Sequence, residues 1–122
     1  MSERHERGMR VRREVLGDAH VDAALSATTP LDADFQKWIT EAIWGDLWAD
    51  PGLDRKTRSM ITIAILATLG SEELDLHLRA SSNTGVGDGE LAQVLRHVAA
   101  YAGAPAANRA FARAKAIRGA SR

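Results

Sequence analysis

Cysteine is absent from this chain of 122 residues. Disulfides, zinc–thiolate sites and thiol catalysis are excluded with it. An excess of either charge is missing as well, because sixteen Lys and Arg balance sixteen Asp and Glu. Nucleic-acid binders normally concentrate basic residues on one face, so no nucleic-acid partner is expected. The longest apolar run, Met60 to Leu69, contains two threonines. It falls far short of the roughly 20 residues of a membrane span, and no membrane partner is expected. The opening MSERHERGMRVRR is charged and lacks the apolar segment of a secretory signal, which points to a cytoplasmic protein. Aromatic residues make up only 5% and no period-two alternation is sustained, so strand signals are nearly absent.

What is present is an ordinary apolar content of 45%, enough for one globular core. The length fits a single domain over residues 1–122, with residues 1–17 as an N-terminal arm and 30–118 as the helical core. Zero net charge favours self-association.

Helical periodicity recurs along the chain. Residues 3–15 are charged with a sparse apolar stripe, which suits an arm lying on a partner or on the domain. Gly17 ends it, and Asp18 is placed to cap a short helix over 19–27 before the break at Thr28, Thr29 and Pro30. From Asp32, the residues Phe35, Trp38, Ile39, Ala42, Ile43 and Leu47 recur at threes and fours as the stripe of an amphipathic α-helix. Asp50-Pro51-Gly52 stops it, and Asp54 is a candidate N-cap for a helix to Leu69. The second half of that helix is apolar all round, which predicts a buried central position. Gly70 closes it; Ser71, Glu72 and Glu73 open the next, with acids where the helix dipole favours them. Asn83 to Gly89 is a glycine-rich turn, Leu91, Val94, Leu95, Val98 and Ala102 form another stripe, and Pro105 fits the first turn of a last helix to about residue 117. GVGDGE follows no strand and lacks the Gly-Lys-Ser/Thr of a phosphate loop, so it reads as a helix connection.

A few residues stand out chemically. Glu73 and His77 lie four apart on a predicted helix, a spacing that serves either a surface ion pair or an acid and an imidazole facing one pocket. Arg58 sits where its helix turns from charged to apolar; it reads as a structural arginine or as an anion clamp. Trp44 and Trp48 flank Gly45, as core residues or as a face that meets a ligand. His5 and His97 have no supporting context and are expected on the surface. No metal-ligand cluster is evident.

Five blocks, in order, carry a resemblance: GMRVRREVLGDAHVD, ITEAIWGDLWADPGL, TRSMITIAILATLG, EELDLHLRA and YAGAPAAN. Together they resemble the carboxymuconolactone decarboxylase family from about Gly8 to Phe111. The resemblance implies an all-α, alkylhydroperoxidase-D-like domain that assembles as a trimer or hexamer, with helices of neighbouring subunits completing the core. Peroxidase-type members carry Cys-x-x-Cys followed by histidine; here Glu73 takes the second cysteine's place and His77 keeps the histidine. Ala102 stands where the family often has cysteine. Thiol chemistry is thereby replaced by acid–base residues. The block holding His20 resembles the decarboxylase-specific part of the domain, which leaves His20 either as a substrate contact or as a docking residue of the arm.

The implied reaction is loss of carbon dioxide from a lactone dicarboxylate, 4-carboxymuconolactone, whose alkene and carbonyl accept the electrons. No cofactor and no metal are expected. His77 with Glu73 is the expected proton-delivering pair, and Arg58, His20 and Trp44 are the expected substrate contacts. A non-catalytic helical oligomer that binds a small aromatic acid or a partner protein is the alternative.

Overall fold

The structure, a computed structural model, describes residues 2–120; Met1, Ser121 and Arg122, the ends of the expected domain, lie outside them. Among the described residues there are seven α-helices, one π-helical segment and no strand. The chain divides into two compact units, Met1–Asp54 and Arg55–Arg122.

In the N-terminal unit, the charged opening is a full α-helix, α1 (Glu3–Leu16). Ser2 caps it by accepting from the His5 amide at 3.1 Å, and Glu3 and Glu6 occupy the first turn, where the macrodipole favours acids. Gly17 ends it at φ 91°, a conformation that side-chain-bearing residues rarely adopt. Helix α2 (Asp18–Ser26) follows at once. Asp18 is therefore inside the first turn and does not cap it; its carboxylate instead accepts from Arg13 at 3.1 Å, while Asp22 takes the other arm of the same guanidinium at 2.8 Å.

The expected amphipathic helix from Asp32 is two structures. A short α3 (Ala33–Trp38) runs into a π-helix over Ile39–Trp48. A π-turn closes i→i+5 bonds and is wider than an α-turn, so the threes-and-fours stripe loses its register. Phe35 and Trp38 on α3 and Leu47 on the π-helix face out, whereas Thr40, Trp44, Gly45 and Trp48 are buried. The two tryptophan rings lie 5.0 Å apart, a contact worth about 1 kcal/mol beyond the area it buries.

Helix α1 packs on the π-helix through two glycines. A Cβ on Gly45 would lie 2.6 Å from the Arg4 carbonyl oxygen, and one on Gly8 would overlap the Thr40 carbonyl. Backbone therefore meets backbone at this crossing. Around it, Arg4 clamps Asp46 at 2.6 Å and Arg7 donates to the Gly45 carbonyl at 2.8 Å.

The C-terminal unit contains α4 (Arg55–Leu69), α5 (Leu74–Ala80), α6 (Asp88–Ala102) and α7 (Ala104–Ala120). Its core joins Ile63 and Ala67 of α4, Leu74 and Leu78 of α5, Leu91, Leu95 and Val98 of α6, and the alanine face Ala106, Ala110, Ala114 of α7. Small residues on α7 let the other three helices approach it closely. Helix α4 is not buried all round: Ile63 is fully buried, but Ile61, Ile65 and Leu69 are exposed. Arg118 fastens the far end by donating to Ser81 Oγ, the Val86 carbonyl and Asp88 at 2.7–2.8 Å.

Candidate active site

Three of the residues singled out in the sequence fall on adjacent helices of the C-terminal unit. Arg58 is in the first turns of α4, half-buried, with its carbonyl accepting from Thr62 Oγ1 at 2.8 Å. His77 is in the middle of α5, half-buried, with Nδ1 enclosed. Glu73 stands at the N-cap of α5 with its side chain exposed. Helix α5 starts there because the Ser71 hydroxyl accepts from the Glu73 amide at 3.1 Å, and the Glu73 carbonyl then accepts from the His77 amide at 3.3 Å. Glu73 is thus one step outside the helix that was expected to hold it, and still one helical turn from His77.

Ion pairing stiffens the same helix. Arg113 of α7 grips Asp75 through two bonds of 2.9 and 2.7 Å. That hydrogen-bonded arginine holds the Asp75 carboxyl below its ordinary range. A cleft of about 450 Å³ lies beside it, lined in part by Gly70, Ser71, Glu72, Asp75, Arg109 and Arg113. The pair Glu73–His77 is not among its lining residues.

The other two candidates belong to the N-terminal unit. His20 is half-buried on α2. Trp44 is only 4% exposed and rests against Trp48. His97 is exposed beside Tyr101, as expected, whereas His5 is half-buried with its Nδ1 enclosed, unlike the surface residue expected.

Sequence reasoning passed over Arg12. It is 4% exposed and donates to Thr40 Oγ1 at 3.2 Å and Gln36 Oε1 at 3.0 Å. Burial, with like-charged Arg13 adding to it, holds its guanidinium below the ordinary arginine range, though an arginine remains a cation there. The signal was present: Gly8, Val11, Arg12 and Val15 recur as i, i+3, i+4 and i+7, so Arg12 occupies an otherwise apolar stripe. No group of three or more His, Asp or Glu among the described residues is placed to hold a metal ion. No described helix is long and apolar enough to cross a membrane.

Residues 33–116 match the carboxymuconolactone decarboxylase family. The chain is 45% identical to a 4-carboxymuconolactone decarboxylase of Acinetobacter baylyi over 116 residues, covering 94% of this chain and 87% of that relative. It is 41% identical to a nitrosuccinic acid decarboxylase of Metarhizium robertsii over 103 residues, 82% of this chain and 71% of the relative. A 4-carboxymuconolactone decarboxylase of Pseudomonas putida is 48% identical over 44 residues, 36% of this chain and 92% of that sequence.

Proposed function

The chain belongs to the carboxymuconolactone decarboxylase family, and from that premise we propose that it decarboxylates 4-carboxymuconolactone to 3-oxoadipate enol-lactone and carbon dioxide, in the protocatechuate branch of the β-ketoadipate pathway. The observation that carries this reading is the 45% identity to the Acinetobacter enzyme over nearly the full length of both chains.

The substrate explains why acid–base residues suffice. Cleavage of the bond between the ring carbon and its carboxylate leaves an electron pair on that carbon. The pair delocalises through the alkene onto the lactone carbonyl, giving a dienolate, and a proton then adds to the carbon alpha to that carbonyl. The protein must hold a dianion, stabilise the new oxyanion and deliver the proton. An arginine on the departing carboxylate would stabilise the ground state and oppose the reaction. Arg58 is therefore assigned to the acetate arm or the carbonyl oxygen. Proton delivery is assigned to His77 beside Glu73, because imidazoles as a class titrate near neutrality. His20 and Trp44 are assigned to the substrate's surroundings. The domain is read as alkylhydroperoxidase-D-like, cytoplasmic and assembled from several copies.

A second substrate is favoured by the fungal relative, whose name specifies nitrosuccinic acid. The chemistry is parallel, because a nitro group on the carbon that bears the carboxylate is also a built-in electron sink. Ultraviolet absorbance of each acid, followed with chelator present, separates the readings. Many turnovers of the lactone at the higher kcat/KM are expected. A change only stoichiometric with protein would make the chain a binder, and faster loss of nitrosuccinate would transfer the assignment to that acid.

A further inference from the structure

The buried face of α1 carries one charged side chain, Arg12, and both acceptors it reaches, Thr40 Oγ1 and Gln36 Oε1, are neutral. Its Nε has no hydrogen-bond partner. Other arginines hold acids of the same unit: Asp46 lies 2.6 Å from Arg4, and Asp18 and Asp22 lie 3.1 and 2.8 Å from Arg13. Among the described residues, no carboxylate is paired with Arg12. A buried cation without a counter-charge is costly, and folded proteins normally balance it.

Beside this cation lies a cleft of about 300 Å³, lined in part by His5, Met9, Gln36, Lys37 and Thr40. His5, Met9 and Arg12 follow one another at spacings of four and three, which puts them along one face of α1. Gln36 and Thr40, the two residues that Arg12 holds, form part of the wall. Because the Gln36 carbonyl oxygen faces the guanidinium, its amide NH2 is left to donate elsewhere. The Thr40 hydroxyl is already committed, accepting from Arg12 and donating to the Gln36 backbone carbonyl at 2.9 Å. The His5 Nδ1 is buried with no partner. No acidic residue lines the cleft. Met9, Leu25 and Ala33 supply apolar wall, so the cleft combines carbon-lined space with a few donors, the usual make-up of a small-molecule site.

We propose that this cleft binds a small organic carboxylate. Its oxygens accept from the Gln36 amide, the His5 imidazole and the Lys37 ammonium, and its charge balances Arg12 through the Gln36 and Thr40 wall. Arg12 is a positioning residue in this arrangement: it fixes the orientation of the Gln36 amide and supplies the field. The proposal is independent of the decarboxylase reading, because it is read by binding and not by turnover.

The test uses the full chain and succinate as probe, at constant ionic strength. A saturable rise in Tm of about 3–8 °C is expected at tenfold excess over Kd. In Gln36→Glu, a carboxylate of the chain itself stands within reach of Arg12. Helicity should be retained and the response to succinate lost. Lys37→Met, at an exposed position that leaves Arg12 untouched, should weaken succinate binding about tenfold. This second variant decides the matter should Gln36→Glu fail to fold. No shift in the unmodified chain with about 50 mM succinate would overturn the proposal. So would an equal shift with chloride, or a succinate response unaltered in both variants.

Discussion

His77 and Glu73 are separated by one helical turn, and their roles are separable by kinetics. In the proposed unit His77 delivers the proton and Glu73, one turn away, orients it. If the two form one unit, losing both should cost little more than losing His77. His77→Ala should lower kcat by about a hundred- to ten-thousand-fold. Glu73→Gln should lower it less, and the double variant should match His77→Ala, with circular dichroism confirming native helicity. Near-native kcat in His77→Ala would pass the proton to another group, His20 first, while full additivity would separate the two residues. On its proposed assignment to the acetate arm, Arg58 would hold an anion present in both ground and transition states. Arg58→Ala should raise KM strongly with a smaller effect on kcat, and Arg58→Lys should rescue it poorly because the planar fork is lost. An unchanged KM in Arg58→Ala would end the assignment.

At the level of elements, the crossing of α1 and the π-helix depends on the absence of two side chains. A methyl at position 8 would overlap the Thr40 carbonyl, a backbone atom that no rotamer change can move. Gly8→Ala should therefore destabilise the chain by about 2–3 kcal/mol in urea unfolding, although alanine is the better helix former. A variant as stable as the parent would mean that the two helices do not meet as described. The contrast with the sequence reading is physical. Helices α4 to α7 were legible because Gly70 at a C-terminus, Pro105 in a first turn and the Leu91–Leu95–Val98 stripe each act locally. The π-helix was not, since Ile39 to Leu47 satisfy an α-helical stripe and nothing in their spacing marks the wider turn. Trp44 and Trp48, four apart, were open to two readings, core residues or a face that meets a ligand; both are buried and in ring contact. Among the candidate residues, the spacing of Glu73 and His77 was visible, but the placement of Glu73 at the cap follows from the Ser71 hydroxyl bond, which the helix pattern alone does not require. Arg12 lay open in the pattern and was overlooked because a charged residue on α1 reads first as solvated.

The C-terminal unit exposes an apolar strip along one helix. On α4, Ile61, Ile65 and Leu69 follow at intervals of four with 46%, 53% and 72% of their surface open, opposite the buried Ile63 and Ala67. Three branched side chains aligned along two turns make a continuous strip and differ from the singly scattered apolar residues of an ordinary surface. The helix thus has two apolar faces, of which its own unit covers one. With sixteen positive and sixteen negative residues, no net repulsion opposes association of like chains. A symmetric homo-oligomer, trimer or hexamer, is the expected state, with the α4 strip buried between copies. Sedimentation at micromolar concentration should show it, and Ile65→Glu should convert it to a smaller species of unchanged helicity. A charge in the middle of an apolar interface lacks a partner, whereas at a position open to water it costs almost nothing. A parent chain that sediments only as monomer would rule out the assembly, and an Ile65→Glu variant that assembles as the parent does would place its interface away from α4.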